Sequence, residues 1–107
     1  MIKIVAECYI RNEEVKTFKE VCSKLIDLTR KNQPGNIKYE LFERNLEVDM
    51  FGIEKLDNMT MFSFIEEWKD LESLKIHCDS DYLAELLPQM ERTFAKNMRL
   101  TVYKLVK

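Results

Sequence analysis

Apolar residues alternate with polar ones from the start of the chain. Ile2, Ile4, Ala6, Cys8 and Ile10 fall on one face, with Lys3, Val5, Glu7 and Tyr9 on the other. That period of two predicts a strand over 2–10. The period then changes. Val15, Phe18, Val21, Cys22, Leu25, Ile26 and Leu28 recur at helical spacing, which predicts an amphipathic helix over 13–32. Asn12 offers an N-cap, Glu13 and Glu14 suit the positive end of the helix dipole, and Asn32-Gln33-Pro34-Gly35 supplies the stop. A second strand follows over 36–44, with Ile37, Tyr39 and Leu41 inward and Lys38, Glu40 and Phe42 outward. Residues 45–58 are rich in acidic and amide side chains and read as a long hairpin connection, with room for extra strand at 48–53. A third strand spans 59–69, and Phe62, Phe64, Glu66 and Trp68 share one of its faces.

Asp70 is placed to cap a short helix over 71–78, and Asp79 or Ser80 to cap a further one. In the latter, Tyr82, Leu83, Leu86, Leu87, Met90 and Phe94 form one stripe, which Pro88 should kink or split. A fourth strand is predicted over 98–106. The order β-α-β-β-α-β predicts an α+β, ferredoxin-like fold: one antiparallel sheet with its helices on one side, formed by a single domain over 1–107. Helices on one side leave the other bare. Val5, Tyr9, Phe42, Met61, Ile65, Tyr103 and Leu105 would lie there, an apolar patch that predicts a homodimer built through the sheet faces.

Composition narrows the classes. A length of 107 residues suits one modest core, and 46% hydrophobic with 34% charged residues is an ordinary globular balance. A net charge of −2 argues against nucleic acid or an acidic membrane as partner. The basic side chains near the end, Arg92, Lys96, Arg99, Lys104 and Lys107, are spread over a helix and a strand. Cys8, Cys22 and Cys78 are odd in number and unpaired by spacing, which with the charged N-terminal strand predicts a reduced, cytoplasmic protein. No run is apolar enough to span a bilayer. One His and three scattered Cys do not space a metal site, and no Gly-rich phosphate loop is present.

Rare chemistry concentrates at one strand-to-helix junction. The stretch Glu66-Glu67-Trp68-Lys69-Asp70-Leu71-Glu72-Ser73-Leu74-Lys75-Ile76-His77 holds the only Trp and the only His. Glu66 and Trp68, two apart on a strand, project toward the helices. A carboxylate there must find a partner or hold its proton to higher pH, which suits a general acid or base. Trp68 offers an aromatic wall and one N–H donor, and His77 a proton relay. Alternatives stand beside these. An inward Trp is commonly core, a His near a helix C-terminus commonly serves the last carbonyls, and Glu66 would also suit an anchor for a loop or a basic side chain. Cys78 follows His77, but neighbours in a helix point roughly 100° apart, so the two do not face each other.

The same stretch resembles the E-x-W, then D/S-x-E-A-L-x-x-H, signature of the antibiotic biosynthesis monooxygenase domain family. Pro34-Gly35-Asn36-Ile37-Lys38-Tyr39-Glu40-Leu41-Phe42 is similar to that family's P-G-x-x-x-Y-E-L-F segment. The resemblance implies a dimeric α/β-barrel assembly of ferredoxin-like domains. It implies oxygenation of a small quinol- or anthrone-like aromatic by molecular oxygen, with no cofactor, the substrate itself supplying electrons. It implies His77 and Glu66 as catalytic groups and Trp68 and Tyr39 as substrate-binding ones; Tyr82 is counted with the latter. The chain departs from the family after His77, where Asp79-Ser80-Asp81-Tyr82 replaces S/T-P-H-F and its second His. It also lacks a first-strand Asn near Ala6 to Cys8, and residues 83–97 hold no His to ligate haem. Two other expectations therefore stand beside the oxygenase: an isomerase or lyase of a small keto or phosphosugar compound, with Arg92, Lys96 and Arg99 as the source of cations, and a non-catalytic dimeric small-molecule-binding domain.

Overall fold

The computed structural model describes residues 1–48 and 50–107. Four strands, β1 (Ile2–Arg11), β2 (Asn36–Glu43), β3 (Met59–Trp68) and β4 (Phe94–Lys104), form one antiparallel sheet in the order β2-β3-β1-β4. Helices α1 (Val15–Asn32), α2 (Leu71–Cys78) and α3 (Asp81–Glu91) complete the α+β, ferredoxin-like fold. No helix among the described residues is long and apolar enough to cross a membrane.

The alternation of β1 has the expected result. Ile4, Ala6, Cys8 and Ile10 are buried, and so are Phe62, Phe64, Glu66 and Trp68 across the ladder on β3. α1 lays Phe18, Val21, Cys22 and Leu25 onto this face, with the rings of Phe18 and Phe62 4.9 Å apart. Directly opposed residues share a face of a sheet, so register defines rows. One row runs Val102–Ile4–Glu66–Tyr39 across all four strands, and the row beside it runs Lys104–Ile2–Trp68–Asn36. Glu66 thus sits in an interior row, between the buried side chains of Ile4 on β1 and Tyr39 on β2.

Several sequence expectations are corrected. Asn12 does not cap α1; it lies in a 3₁₀ turn, Asn12–Glu14, and its Oδ1 accepts a hydrogen bond from Thr60 Oγ1 at 2.7 Å. Ile37 is exposed rather than inward, because β2 slips register against β3 between Asn36 and Lys38. The described residues of 48–53 contain no strand, and residue 49 lies outside the described residues.

Pro88 neither splits nor ends α3; it sits in the last turns, where the missing N–H costs a single hydrogen bond. Phe94 belongs to β4, not to the helical stripe, and β4 begins four residues earlier than the pattern predicts. Tertiary contacts cause the early switch. Thr93 Oγ1 donates to Met90 O at 2.6 Å, closing the helix end. Arg11 donates its backbone N–H to Thr93 O at 3.1 Å and its guanidinium to the carbonyls of Phe94 and Arg92. That clamp draws the chain onto the sheet edge, where Phe94 pairs with Ile10.

Gly35 positions α2. Its carbonyl accepts the Lys69 N–H at 2.8 Å, and a Cβ built on it would lie 2.1 Å from Ser73 Oγ and 2.3 Å from Ser73 Cβ. The helix that carries His77 can approach β2 this closely only over a glycine. Gly35→Ala is expected to destabilise the fold by roughly 1–3 kcal/mol, the usual cost of overpacking, measured by urea denaturation. A midpoint unchanged from wild type would show that the α2 N-terminus yields without cost.

Candidate active site

The junction between β3 and α2 is built locally. Asp70 leaves β3 in an extended conformation and its Oδ1 accepts the Ser73 N–H at 2.8 Å, so α2 starts at Leu71 as the cap signal predicts. At the far end, Ser80 donates both its backbone N–H (3.1 Å) and its Oγ–H (2.7 Å) to the carbonyl of His77. Ser80 occupies the N-cap position of α3 but makes no side-chain cap there. The His77 backbone is therefore pinned, and its ring is free to turn inward instead of serving the helix carbonyls.

The ring goes under the sheet. His77 is 4% exposed; it stacks on Trp68 with centroids 4.6 Å apart and an interplanar angle of 37°. Its Nδ1 lies 3.4 Å from Tyr82 Oη. Tyr39 meets it edge-on at 5.6 Å. Trp68 Nε1 donates to Glu66 Oε1 at 3.0 Å. The rare residues of the stretch singled out in the sequence thus form one cluster: Glu66, Trp68 and His77 are linked by hydrogen bond and stack, with Tyr82 of α3 and Tyr39 of β2 against them.

Beside the cluster lies a cavity of about 280 Å³. Ile4, Ala6, Phe64, Met98 and Leu100 of the sheet form part of its wall, and Leu74 of α2 and Leu83, Leu87 and Met90 of α3 form much of the rest. Glu66, His77 and Tyr39 break this apolar lining, and Cys78 joins them. Trp68 has no exposed surface and stands behind the wall, in contact with the two groups that reach it; Tyr82 also stands outside the lining, held to His77. Leu83, Leu87 and Met90 were visible in the sequence as a helical stripe, at spacings of four and three. Nothing in the pattern marked Met98, Leu100 or Cys78 as cavity residues, because β4 and the end of α2 are brought there by tertiary packing.

Electrostatics follow from burial. Glu66 is 6% exposed, and desolvation pushes its carboxyl up to about 7, against the lowering effect of the Trp68 hydrogen bond. Burial pushes His77 down to about 4, so the imidazole is neutral at neutral pH. Tyr39 is raised well above the usual phenol value, first by burial and then by Glu66. Burial, then Glu66 and Asp79, also raise the Cys78 thiol. No fully buried side-chain nitrogen or oxygen lacks a partner among the described residues, so the second oxygen of Glu66, Oε2, which has no hydrogen bond, is open to the cavity. The arrangement offers a carboxylate that exchanges its proton near pH 7 and a neutral imidazole, both on the wall of an apolar chamber. Such a chamber suits a small, largely apolar molecule with a hydroxyl to be deprotonated.

Comparisons agree with this architecture. The sequence pattern of the family described as antibiotic biosynthesis monooxygenase matches residues 1–89, which include both segments of the resemblance and every residue of the cluster. No curated protein matches the chain in sequence. Among solved structures, a conserved protein from Methanosarcina mazei Go1 is 28% identical, with a TM-score of 0.78 over 96% of this chain and 90% of that one. A protein described as an antibiotic biosynthesis monooxygenase is 26% identical, with a TM-score of 0.78 and full coverage of both chains. A Caulobacter crescentus CB15 protein proposed to be such a monooxygenase shares the fold at 21% identity, with a TM-score of 0.81 over 99% of this chain and 90% of that one. With most of its length matched by the family pattern and its fold shared throughout, the chain belongs to the antibiotic biosynthesis monooxygenase family.

Proposed function

We propose that this protein is a cofactor-independent monooxygenase of a small, uncharged quinol- or anthrone-like aromatic. The observation that carries the proposal is the apolar cavity of about 280 Å³ with the Glu66 carboxyl, titrating at about 7, on its wall. Glu66 Oε2 takes the proton of a substrate hydroxyl, and the resulting electron-rich anion reduces molecular oxygen. For a hydroquinone, one oxygen atom enters the ring as a hydroxyl and the other leaves as water, giving a hydroxyquinone. General-base help of this kind is worth about 10²–10⁴-fold. Neutral His77, held by Tyr82 and Trp68, hydrogen-bonds the substrate oxygen on which charge develops.

The lining bears on the competing substrate class. A phosphorylated substrate needs cations, and among the described residues no Lys or Arg, Arg92, Lys96 and Arg99 included, belongs to the cavity lining. Oxygen-electrode measurements with a panel of hydroquinones, naphthohydroquinones and anthrones are expected to show uptake well above autoxidation, with no metal or flavin added. Absence of uptake across the panel overturns the oxygenase reading, and ligand binding without uptake then identifies a binding domain.

The proposal includes a homodimer formed through the open sheet face. Val5 lies opposite Ile65 there, and Tyr9 opposite Met61, with exposed Phe42 and Tyr103 at the flanks and a Lys3–Glu67 ion pair of 3.4 Å in the row beyond Val5 and Ile65. An apolar field of this kind favours self-association. Ile65→Glu is expected to convert the dimer to monomer in sedimentation velocity; a wild-type chain that sediments as a monomer at micromolar concentration refutes the assembly.

A further inference from the structure

Glu66 and His77 reach the cavity and meet the ligand directly in the proposed reaction. Trp68 does not. It is fully buried, lies outside the cavity lining, and yet touches both groups that reach the cavity.

We propose that Trp68 is the positioning residue of this site: its indole N–H holds one oxygen of Glu66 and its ring face holds His77, and it thereby decides which Glu66 oxygen meets the ligand. The inference rests on the oxygenase reading only for the word substrate; the geometry holds for any ligand of the cavity.

The argument begins with donors and acceptors. The indole has one N–H and no acceptor, so it can only donate. Its donation to Glu66 Oε1, at 3.0 Å, makes Oε1 the acceptor oxygen in both protonation states. A proton taken up by the carboxyl therefore resides on Oε2, the oxygen with no partner among the described residues. Ionised, Oε2 accepts a hydrogen bond from a ligand hydroxyl. Protonated, it donates one to a ligand carbonyl. One wall oxygen thus serves both a quinol and the quinone made from it, while the indole keeps the carboxyl plane from rotating to exchange the two oxygens.

Strand geometry makes the contact possible. Glu66 and Trp68 are two apart on β3 and share its buried face, flanked by Ile4 and Ile2 across the ladder. The ring is held on its other side by His77 at 4.6 Å, itself pinned through its backbone to Ser80. Loss of the indole N–H removes a hydrogen bond that favours the ionised carboxylate. Loss of the whole ring would also remove the stack that orients the imidazole.

Glu66 is surrounded by groups that bear on any pH measurement. They are Cys8 on β1, Cys22 on α1, Tyr39 on β2, His77 and Cys78 on α2, and Tyr82 on α3; β4 contributes only Met98 and Leu100 to the cavity. Burial moves Cys8, Cys22, Tyr39 and Cys78 upward and His77 downward, so the interval from pH 5 to 8 is left to Glu66 among the shifted groups of the cluster.

Trp68 is the only tryptophan, which makes it its own reporter. In the wild-type chain without ligand, its fluorescence is expected to change with a single midpoint near pH 7, following Glu66, and Glu66→Gln is expected to abolish that step. In Trp68→Phe, carbon NMR of the Glu66 carboxyl is expected to place its midpoint roughly one pH unit higher, the worth of one charge-assisted hydrogen bond. The pH–rate profile for oxygen uptake moves by the same amount, a displacement that a merely structural role for Trp68 does not produce. Fluorescence that is flat between pH 5 and 8, a step that survives in Glu66→Gln, or a Glu66 midpoint unmoved in Trp68→Phe each overturns the assignment. The fluorescence comparison decides the matter even where Trp68→Phe fails to fold, and none of these optical or NMR readouts requires turnover, so a failed oxygenase assay leaves them intact.

Discussion

Glu66→Gln is expected to slow oxygen uptake by roughly 10²-fold or more and, at pH 8, to make the fold about 1–3 kcal/mol more stable than wild type. The two effects have one cause. Glutamine keeps an acceptor for the Trp68 N–H but has no proton to exchange and no charge to desolvate. The sign follows from the folded carboxyl titrating at about 7 against an ordinary 4.5. A carboxyl raised in the fold contributes its full stability below pH 4.5, where both states are protonated. That contribution is lost as pH rises through 7, because the unfolded chain ionises freely and the folded one against its apolar surroundings. Full ionisation in the fold therefore costs about 3 kcal/mol, and a new amide facing the cavity returns part of the gain. Urea denaturation at pH 8 and pH 4 checks this: the variant and wild type should differ at the former and converge at the latter. Equal midpoints at pH 8 would mean that Glu66 is not held in a desolvated setting, and retained turnover would remove it as the base.

His77 is expected to impose the opposite slope. Its imidazole is pushed down from 6.5 to about 4 by burial, so it stabilises the fold fully above pH 6.5 and loses that contribution as pH falls through 4. Between pH 4.5 and 6.5 the two slopes nearly cancel in the wild-type protein. Each amounts to about 1.4 kcal/mol per pH unit. Single variants separate them. Stability of His77→Phe relative to wild type should fall as pH rises across that interval, whereas that of Glu66→Gln should rise. Phenylalanine retains the stack on Trp68 and gives up only the 3.4 Å contact with Tyr82, so the slope is not masked by a collapsed core. Difference curves with the same sign would show that one of the two groups is solvated in the fold.

These effects centre on groups that ordinary core physics avoids. A domain of this size gains most of its stability from apolar burial, here Phe18, Phe62, Phe64 and the β1 row. Placing a carboxyl and an imidazole in the same interior lowers stability above pH 7 and below pH 4 respectively. Their burial beside an open cavity is a cost that the proposed chemistry at the cavity wall would explain.

Much of this was legible in the chain. The change from period two at Ile2–Ile10 to helical spacing after Val15, and back at Tyr39, defined the strand and helix order, because each period places apolar side chains on one face only. Asp70 announced α2, since a carboxylate placed three residues before a free N–H can accept it within one turn. The coincidence of Glu66, Trp68 and His77 marked the site, and strand geometry alone put the first two on the covered face. Other features depended on partners distant in sequence. Whether Phe94 continued a helix or began a strand was decided by the Arg11 clamp, which no local pattern records. Ile37 came out exposed through a slip in pairing with β3. Trp68 and Tyr82 came to rest behind the cavity wall, and Cys78, Met98 and Leu100 on it, because helix α3 and strand β4 pack where the sheet leaves room. By itself, then, the sequence determined the periodicities, the Asp70 cap, the family and the rare residues, all of which are written in short-range spacing. Only the tertiary structure decided the cavity, the pairing of Glu66 with Trp68 and the opposed shifts of Glu66 and His77, because desolvation and hydrogen-bond geometry exist only once segments far apart in the chain have closed around the same space.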